Sequence, residues 1–218
     1  MVFCFDYYWL CRLSLAFILN SFLQMKTNLL TSKDNLTLQL QKLGITDWES
    51  LTNYIQNLPY GRNTNRHDLS LVLTEQKGTC SSKHAFLKKI ADFNELKSIG
   101  LYIGIYKMNS ANTPKIGNVL SENEFSYTLG YIPEAHCYLK VNGKEYDFTN
   151  STSDFEKLRQ DILEEIEIEA HQINEFKVNY HQEFLKKWST NQNKLSDFVI
   201  NFESLWKLRE RCILNLSK

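Results

Sequence analysis

The 218-residue sequence lacks the features that mark several specialised classes of protein. It has no internal repeat and no low-complexity tract, which excludes solenoid and fibrous architectures. Its 25 Lys and Arg residues balance its 25 Asp and Glu residues, so we expect no nucleic-acid partner. The five cysteines are odd in number and have no paired spacing, which favours reduced thiols over a disulfide framework. A chain of this length and composition is expected to form one globular domain.

Long apolar runs are also missing, with a partial exception at the start of the chain. Residues 1–24 are rich in aromatic residues and leucine and carry only two charged side chains. The uncharged run over residues 13–25 is too short to span a bilayer, which takes about 20 apolar residues. The segment also lacks the basic start and the cleavage site that are typical of a signal peptide. We interpret residues 1–24 as an atypical leader ahead of a true start at Met25. This predicts one cytoplasmic domain over residues 25–218 with no membrane partner; a secreted or membrane-associated protein is the second interpretation.

Hydrophobic periodicity predicts an α+β protein in which helices come before and after an antiparallel sheet. Predicted helices cover residues 35–43 and 46–58, the segment after Cys80, and residues 174–190 and 196–214; predicted strands cover residues 100–108 and two runs within 134–150. Residues 109–127 are predicted to form a long loop. Strict alternation over residues 165–169 favours a strand, but its glutamates also suit a helix.

The clearest strand signal is a hairpin around Asn142-Gly143, a dipeptide that favours a two-residue turn. In the register that this turn sets, Cys137 points to an apolar, core-facing side of the hairpin. His136 and Asp147 lie on the other, polar side as diagonal neighbours, about 7–8 Å apart at the backbone. Side chains at this separation can lean together, so the hairpin offers an imidazole with a carboxylate to orient it.

Cys80 follows a Gly-Thr pair and stands at the start of a predicted helix. A thiol is a good nucleophile only as a thiolate, which the free N–H groups and dipole of a helix N-terminus favour and a nearby imidazolium favours further. The imidazole must also keep its proton on the correct nitrogen, which a carboxylate partner enforces. Cys80, His136 and Asp147 can fill these three roles.

The stretch "GTCSSKHAFLKKIA", followed by "EAHCYLKV" and "YDFTN", resembles the transglutaminase-like superfamily of papain-type cysteine enzymes. That family keeps the order of a Cys at a helix N-terminus, a His on a strand and an Asp on the next strand. The resemblance covers residues 45–150 and implies a papain-like core, in which the helix that carries the Cys packs on an antiparallel sheet. It also implies that Cys80, His136 and Asp147 form a catalytic triad that acts through a thioester acyl-enzyme without a cofactor.

The reaction implied by this resemblance is cleavage of an amide or peptide bond. The acyl group could pass to water, as in an amidase or peptidase, or to an amine, as in a transglutaminase. We expect hydrolysis of a peptide-like or small amide substrate, because the compact chain has no accessory domain to dock a bulky protein acceptor.

The resemblance does not identify the side chain that completes the oxyanion hole. Gln76 lies just upstream of the cysteine, and the polar loop over residues 60–66 contains Arg62, Asn63 and Asn65. These are hydrogen-bond donors suited to an oxyanion or to an anionic or peptide-like ligand. We therefore take the four side chains as candidate oxyanion or substrate-binding residues.

Two other interpretations use the same part of the chain. A zinc ion could be bound by nitrogen, sulfur and oxygen ligands drawn from Cys80, His84, His136, Cys137 and Asp147. No CxxC or HxxxH pair occurs, however, so we expect no metal. The protein could instead be a non-catalytic scaffold that binds a partner through residues 60–66. Considered alone, Cys80 would be a small buried hydrophobe, and His84 a structural residue of the helix.

Overall fold

The computed structural model describes residues 28–122, 130–195, 199 and 201–216. The predicted leader lies outside these residues, as do residues 123–127 of the predicted long loop and most of residues 196–200 at the start of the last predicted helix. Within the described residues, no helix combines the length and the apolar character needed to cross a membrane.

From residue 28 onward, four helices come before the sheet: α1 (Asn35–Lys42), α2 (Trp48–Asn57), α3 (Leu71–Thr74) and α4 (Cys80–Phe93). Asp34 caps α1 by accepting two backbone N–H groups of its first turn, and Asp47 caps α2 within a capping box. Such caps satisfy N–H groups that have no partner inside the helix. The helices predicted at residues 35–43 and 46–58 are confirmed, whereas α3 lies in a segment for which the pattern predicts no helix.

The sheet has four strands, all antiparallel, in the order β3-β2-β1-β4. They are β1 (Ile99–Met108), β2 (Ile132–Val141), β3 (Lys144–Tyr146) and β4 (Ile162–Ile168). β1 and β2 pair along their whole lengths and form the centre of the sheet. The predicted α+β class with an antiparallel sheet is confirmed. The alternating segment over residues 165–169 is mostly strand, and its glutamates point to solvent from an edge strand.

The Asn142-Gly143 turn joins β2 and β3 in the predicted register, with Leu139 opposite Tyr146. Both turn residues have a positive φ, of 51° and 78°, as this turn type requires. β3 ends at Tyr146, so Asp147 lies just beyond the strand. The prediction that Asp147 is on a strand is therefore wrong. Its carboxylate accepts the backbone N–H of Thr149, and this local hydrogen bond takes the place of strand pairing.

The remaining elements connect and cover the sheet. In chain order they are a 3-10 turn at Pro114–Ile116, α5 (Gly117–Ser121), α6 (Glu156–Arg159), a 3-10 turn at Ala170–Ile173, α7 (Glu175–Leu195) and α8 (Phe202–Leu216). The loop predicted over residues 109–127 is thus partly helical, because a proline starts a helical turn there. The two helices predicted near the C-terminus are confirmed, the second with a later start.

Two apolar clusters pack the helices against the sheet. In the first, α1 to α4 contact one sheet face through residues that include Leu51, Phe86, Ile103, Ile105 and Cys137. In the second, α7 and α8 contact other residues of β1 and β2 through a cluster that includes Leu185 of α7, Leu205 of α8, and the strand residues Tyr106, Met108 and Ile132. Cys137 therefore packs in the core, as predicted. The hairpin face predicted to be polar is partly covered, since Tyr138 is fully buried and its ring lies 4.4 Å from that of Phe155.

Candidate active site

A capping box builds the helix start at Cys80. Thr79 is the N-cap residue of α4: its side chain accepts the backbone N–H of Ser82, and the Ser82 hydroxyl accepts the N–H of Thr79 over 2.9 Å. Cys80 is therefore the first residue of the helix, where backbone N–H groups have no partner within the helix. Their partial positive charge favours a thiolate on this side chain.

The residues before α4 bring Tyr60 close to Cys80. The N–H of Gly78 donates to the carbonyl of Pro59, and the N–H of Gly61 donates to the carbonyl of Gly78, both over 3.2 Å. A Cβ on residue 78 would lie 2.8 Å from Cγ of Lys83, so glycine permits the close approach of the chain to α4. The pairing places the Tyr60 side chain in the same cavity as the thiol.

His136 lies between the thiol and a carboxylate. Its Nε2 is 3.0 Å from Oδ2 of Asp147, so Nδ1 is the nitrogen that does not face the carboxylate. The imidazole also lies beside the Cys80 side chain, and the charge of each group shifts the pKa of the other. The backbone N–H and the hydroxyl of Thr149 donate to Oδ1 of Asp147 over 2.9 and 2.5 Å. The structure thus brings together the three residues predicted as a triad. Tyr106 packs edge-on against the imidazole, with ring centroids 6.0 Å apart.

The charges around these groups stabilise a thiolate–imidazolium pair. Burial would raise the pKa of the Cys80 thiol, but the Lys177 ammonium and the His136 imidazolium outweigh it and lower that pKa from 9.0 to about 6. Burial would lower the pKa of His136, but the Asp147 carboxylate and the Cys80 thiolate hold it well above its ordinary value. Burial also opposes ionisation of Asp147, yet the His136 charge keeps the pKa of this carboxyl below its usual range. Both shifts favour a negative Cys80 and a positive His136.

His84, one turn after Cys80, fixes the local backbone. Its Nδ1 lies 2.7 Å from the Cys80 carbonyl oxygen, and its Nε2 accepts the backbone N–H of Phe148 over 2.7 Å. Because Nε2 accepts, the ring proton is on Nδ1 and the ring is neutral, as expected from burial, which lowers the pKa of His84 to about 4. Its separation of 3.6 Å from Asp147 is therefore not an ion pair. Both ring nitrogens are already engaged, so His84 has none to offer zinc.

The other proposed zinc ligands do not form a metal site with each other. Across the part of the chain that the structure describes, no group of three or more His, Cys, Asp or Glu side chains is arranged to hold a metal ion. Nε2 of His136 is already engaged by the Asp147 carboxylate.

The thiol and the imidazole open into a cavity of about 550 Å³. Its walls come from residues 60–66, β1, β2, α7 and α8, and they carry cationic and aromatic side chains such as Tyr60, Arg62, Arg66, Lys115, Lys177, Trp206 and Arg209. Arg209 donates two hydrogen bonds to Glu134, over 2.7 and 2.6 Å. Burial would raise the pKa of Glu134, but Arg209 lowers it to about 2, so this wall carries a paired charge.

The four predicted oxyanion or substrate-binding residues have different positions. Only Arg62 is among the side chains that line the cavity. Asn63 donates to two backbone carbonyls and so fastens its own loop, while Asn65 accepts a backbone N–H in a local turn. Gln76 donates to a tyrosine hydroxyl of α2 and to a carbonyl of α3. The backbone N–H and C=O groups of a polar loop need hydrogen-bond partners, and Asn63, Asn65 and Gln76 supply some of them.

Three side chains in the site have no counterpart in the sequence analysis. Lys177 of α7 donates to the Ser81 hydroxyl over 2.7 Å, and both Tyr60 and Tyr106 line the cavity beside the thiol. In the sequence, Lys177 is an ordinary charged residue of an amphipathic helix, and Tyr106 an ordinary residue of a strand. For Tyr60 alone there was a signal, since it begins the polar loop over residues 60–66.

Comparison of the chain with models of known families, with curated proteins and with solved structures finds no match in any of the three. The function is therefore inferred from the residues of the site and from their geometry.

Proposed function

We propose that the protein is a cysteine-dependent hydrolase of amide or peptide bonds. Cys80 is the nucleophile, His136 the general acid and base, and Asp147 the carboxylate that orients His136. The observation that carries the proposal is a thiol at a helix start beside an imidazole whose Nε2 lies 3.0 Å from a buried carboxylate. Nucleophilic acyl transfer needs this constellation, and here it faces a cavity of a size that suits a small ligand.

The arrangement also supports the proposed relationship to transglutaminase-like enzymes with a papain-like core. The helix that starts at the nucleophile, α4, packs on an antiparallel sheet, and His136 lies on the adjacent strand β2. Asp147 departs from the family pattern, because it follows β3 instead of lying on it. In this proposal, the helices before α4 and the helices α7 and α8 are additions to the core.

The reaction begins from the thiolate–imidazolium pair. The Cys80 sulfur attacks the substrate carbonyl carbon, and the π electrons move to the oxygen to give a tetrahedral oxyanion. His136 then donates its Nδ1 proton to the leaving nitrogen, the C–N bond breaks, and a thioester and a free amine result. Neutral His136 next takes a proton from water as the oxygen attacks the thioester. The C–S bond breaks, which releases the acid and restores both charges. Asp147 keeps the remaining proton on Nε2 throughout.

The backbone N–H of Cys80 and the phenol of Tyr60 are the proposed oxyanion hole. The N–H of the first helical residue has no partner inside α4, and its direction along the helix axis suits a developing negative charge. Tyr60 lines the cavity beside the thiol. Burial raises the pKa of its phenol, and the negative charges of Cys80 and Glu134 raise it further, so Tyr60 stays protonated and can donate.

A peptide-like or small amide with a negative charge is the substrate class that the cavity favours. Five of its lining residues are Lys or Arg and three are Asp or Glu. Arg209 is neutralised by Glu134, but Arg66 and Lys115 are exposed at the cavity wall. A carboxylate on the substrate would find hydrogen-bond donors there.

A substrate screen with a paired set of variants tests the proposal. Amides, short peptides and thioesters, with neutral and carboxylate-bearing examples of each, are incubated with wild type, Cys80→Ala and Cys212→Ala. Cys212 is a buried cysteine of α8 outside the cavity, so its variant controls for loss of a thiol. We expect hydrolysis by wild type and Cys212→Ala, and background rates for Cys80→Ala.

Two outcomes of the same screen would change the assignment. Incorporation of an added amine that outpaces hydrolysis would make the protein an acyltransferase. If no substrate shows turnover that depends on Cys80, the hydrolase proposal fails and the non-catalytic binding protein becomes the better description.

A further inference from the structure

Lys177 reaches the helix start from α7 and occupies a position with an unusual set of neighbours. Its Nζ donates to the Ser81 hydroxyl over 2.7 Å, beside both Cys80 and Cys137. Two other cations of the cavity wall pair with carboxylates: Arg209 with Glu134 and Glu210, and Arg62 with Glu210. For Lys177, the described residues supply a hydroxyl and two thiols and no ion pair.

Ser81 lies at the centre of this group. Its oxygen accepts from Nζ of Lys177, and it also accepts the S–H of Cys137 over 3.5 Å. A hydroxyl oxygen has two lone pairs, so both are used by these donors. The hydroxyl proton must then point to a different neighbour, and the Cys80 sulfur lies 3.9 Å away. Ser81 can therefore donate to the thiolate, and Lys177 helps to set that direction.

We propose that Lys177 is a positioning residue for the nucleophile: it orients the Ser81 hydroxyl toward the Cys80 sulfur and keeps a permanent positive charge beside it. The inference rests on the proposed role of Cys80 as a nucleophile. It adds a second source of thiolate stabilisation, independent of His136, and assigns it to a residue far away in the chain.

The chemical value of a second cation follows from the reaction cycle. His136 gives its proton to the leaving amine, so in the acyl-enzyme the imidazole is neutral. When water has attacked the thioester, the sulfur must leave as a thiolate. A charge that does not change during the cycle stabilises that leaving group whether or not the imidazole is protonated. Lys177 stays charged, since the negative charges of Cys80 and Glu134 raise its pKa against the effect of burial.

Several other ionisable groups surround the thiol, and a test must separate them from Lys177. They come from every element packed around it: His136 and Cys137 on β2, Tyr106 on β1, Tyr60 in the loop before α3, and, further along the cavity, Glu134 with Arg209 and His181. The positive charges that lower the pKa of Cys80 are those of Lys177 and His136. The variants below leave His136 in place.

The test is the pH dependence of alkylation of Cys80 by iodoacetamide, followed by mass spectrometry of the Cys80 peptide. The variants are Lys177→Met, Lys177→Arg and Ser81→Ala, and the matched control is Lys187→Met, which removes an exposed lysine from the same helix. Because removal of an adjacent charge shifts a pKa by about 1–2 units, the Lys177→Met midpoint should rise by that amount. At pH 6, its alkylation rate should fall about 5- to 50-fold. Lys177→Arg should keep most of the wild-type behaviour, and Ser81→Ala should show a smaller rise than Lys177→Met.

The alkylation readout needs no substrate, so it tests Lys177 separately from the hydrolase proposal. If the alkylation midpoint depends on Lys177 but no substrate is turned over, the role of Lys177 stands and the hydrolase proposal fails. A Lys177→Met profile that matches wild type overturns the inference. So does a Lys177→Arg profile as perturbed as that of Lys177→Met at an unchanged melting temperature. Should Lys177→Met not fold, Ser81→Ala decides, because it keeps the lysine: an unchanged midpoint in that variant refutes the orienting hydrogen bond.

Discussion

Replacement of Asp147 by Asn perturbs the orientation of His136 with almost no change in side-chain size. The carboxylate accepts at both oxygens: Oδ1 accepts from Thr149, and Oδ2 accepts from Nε2 of His136. An asparagine has one acceptor and one donor group. If its oxygen stays with Thr149, its amide group faces Nε2, which must then be the unprotonated nitrogen. The imidazole proton moves to Nδ1, and the ring can no longer accept a proton on the side that faces Cys80.

The expected loss can be worked out from these contacts. An imidazole with its proton on the wrong nitrogen loses general acid–base catalysis, which is worth about 10²–10⁴-fold in rate, or about 3–5 kcal/mol of transition-state stabilisation. The imidazolium also loses the carboxylate that raises its pKa. The Cys80 thiolate then keeps Lys177 but loses part of its support from His136, so its pKa should rise from about 6 without reaching 9.0.

The assay combines turnover, the pH profile of Cys80 alkylation and thermal melting. Asp92→Asn is the matched control, since it removes an exposed carboxylate from the same helix as Cys80, where it pairs with Lys88. We expect Asp147→Asn to melt close to wild type while turnover falls and the alkylation midpoint rises. If both turnover and alkylation were unchanged, the orienting role of Asp147 would be refuted. If the variant unfolded, Asp147 would be a structural residue.

Two further predictions concern the pair of charges and the helix start. Turnover should follow a bell-shaped pH profile. It should rise as Cys80 ionises near pH 6 and fall well above pH 6.5, where His136 loses the proton that it donates. A profile with a single ionisation near the ordinary thiol pKa would contradict the ion pair. Gly78→Ala should slow alkylation and lower stability by about 1–3 kcal/mol, because the added Cβ would lie 2.8 Å from Lys83. Gly130→Ala, where a Cβ meets nothing within 4 Å, is its control, and equal melting and reactivity of the two variants would show that the close approach is not needed.

Much of the fold and three residues of the site follow from local sequence patterns. The Asn142-Gly143 turn has a geometry that its own two residues dictate, and the period of two along a strand then determines which side chains share a face. That is sufficient to predict the proximity of His136 and Asp147, although Asp147 lies beyond the strand. The start of α4 at Cys80 is likewise local, since the Thr79 cap and the apolar spacing after it are both readable in the chain.

The tertiary structure alone decided what surrounds these three residues. A lysine at position 177 fits an amphipathic helix equally well whether it faces water or a thiolate, because helix periodicity carries no information about which distant segment packs on that face. The same is true of Tyr60, whose position depends on backbone pairing with Gly78. The donors of Asn63 and Gln76 are used to satisfy backbone and neighbouring groups, and a list of polar residues cannot reveal that. The sequence by itself therefore determined, through local rules, that Cys80 starts a helix and that His136 lies beside Asp147, whereas the packing of α7 against the start of α4 decided which charges lie near the Cys80 thiol.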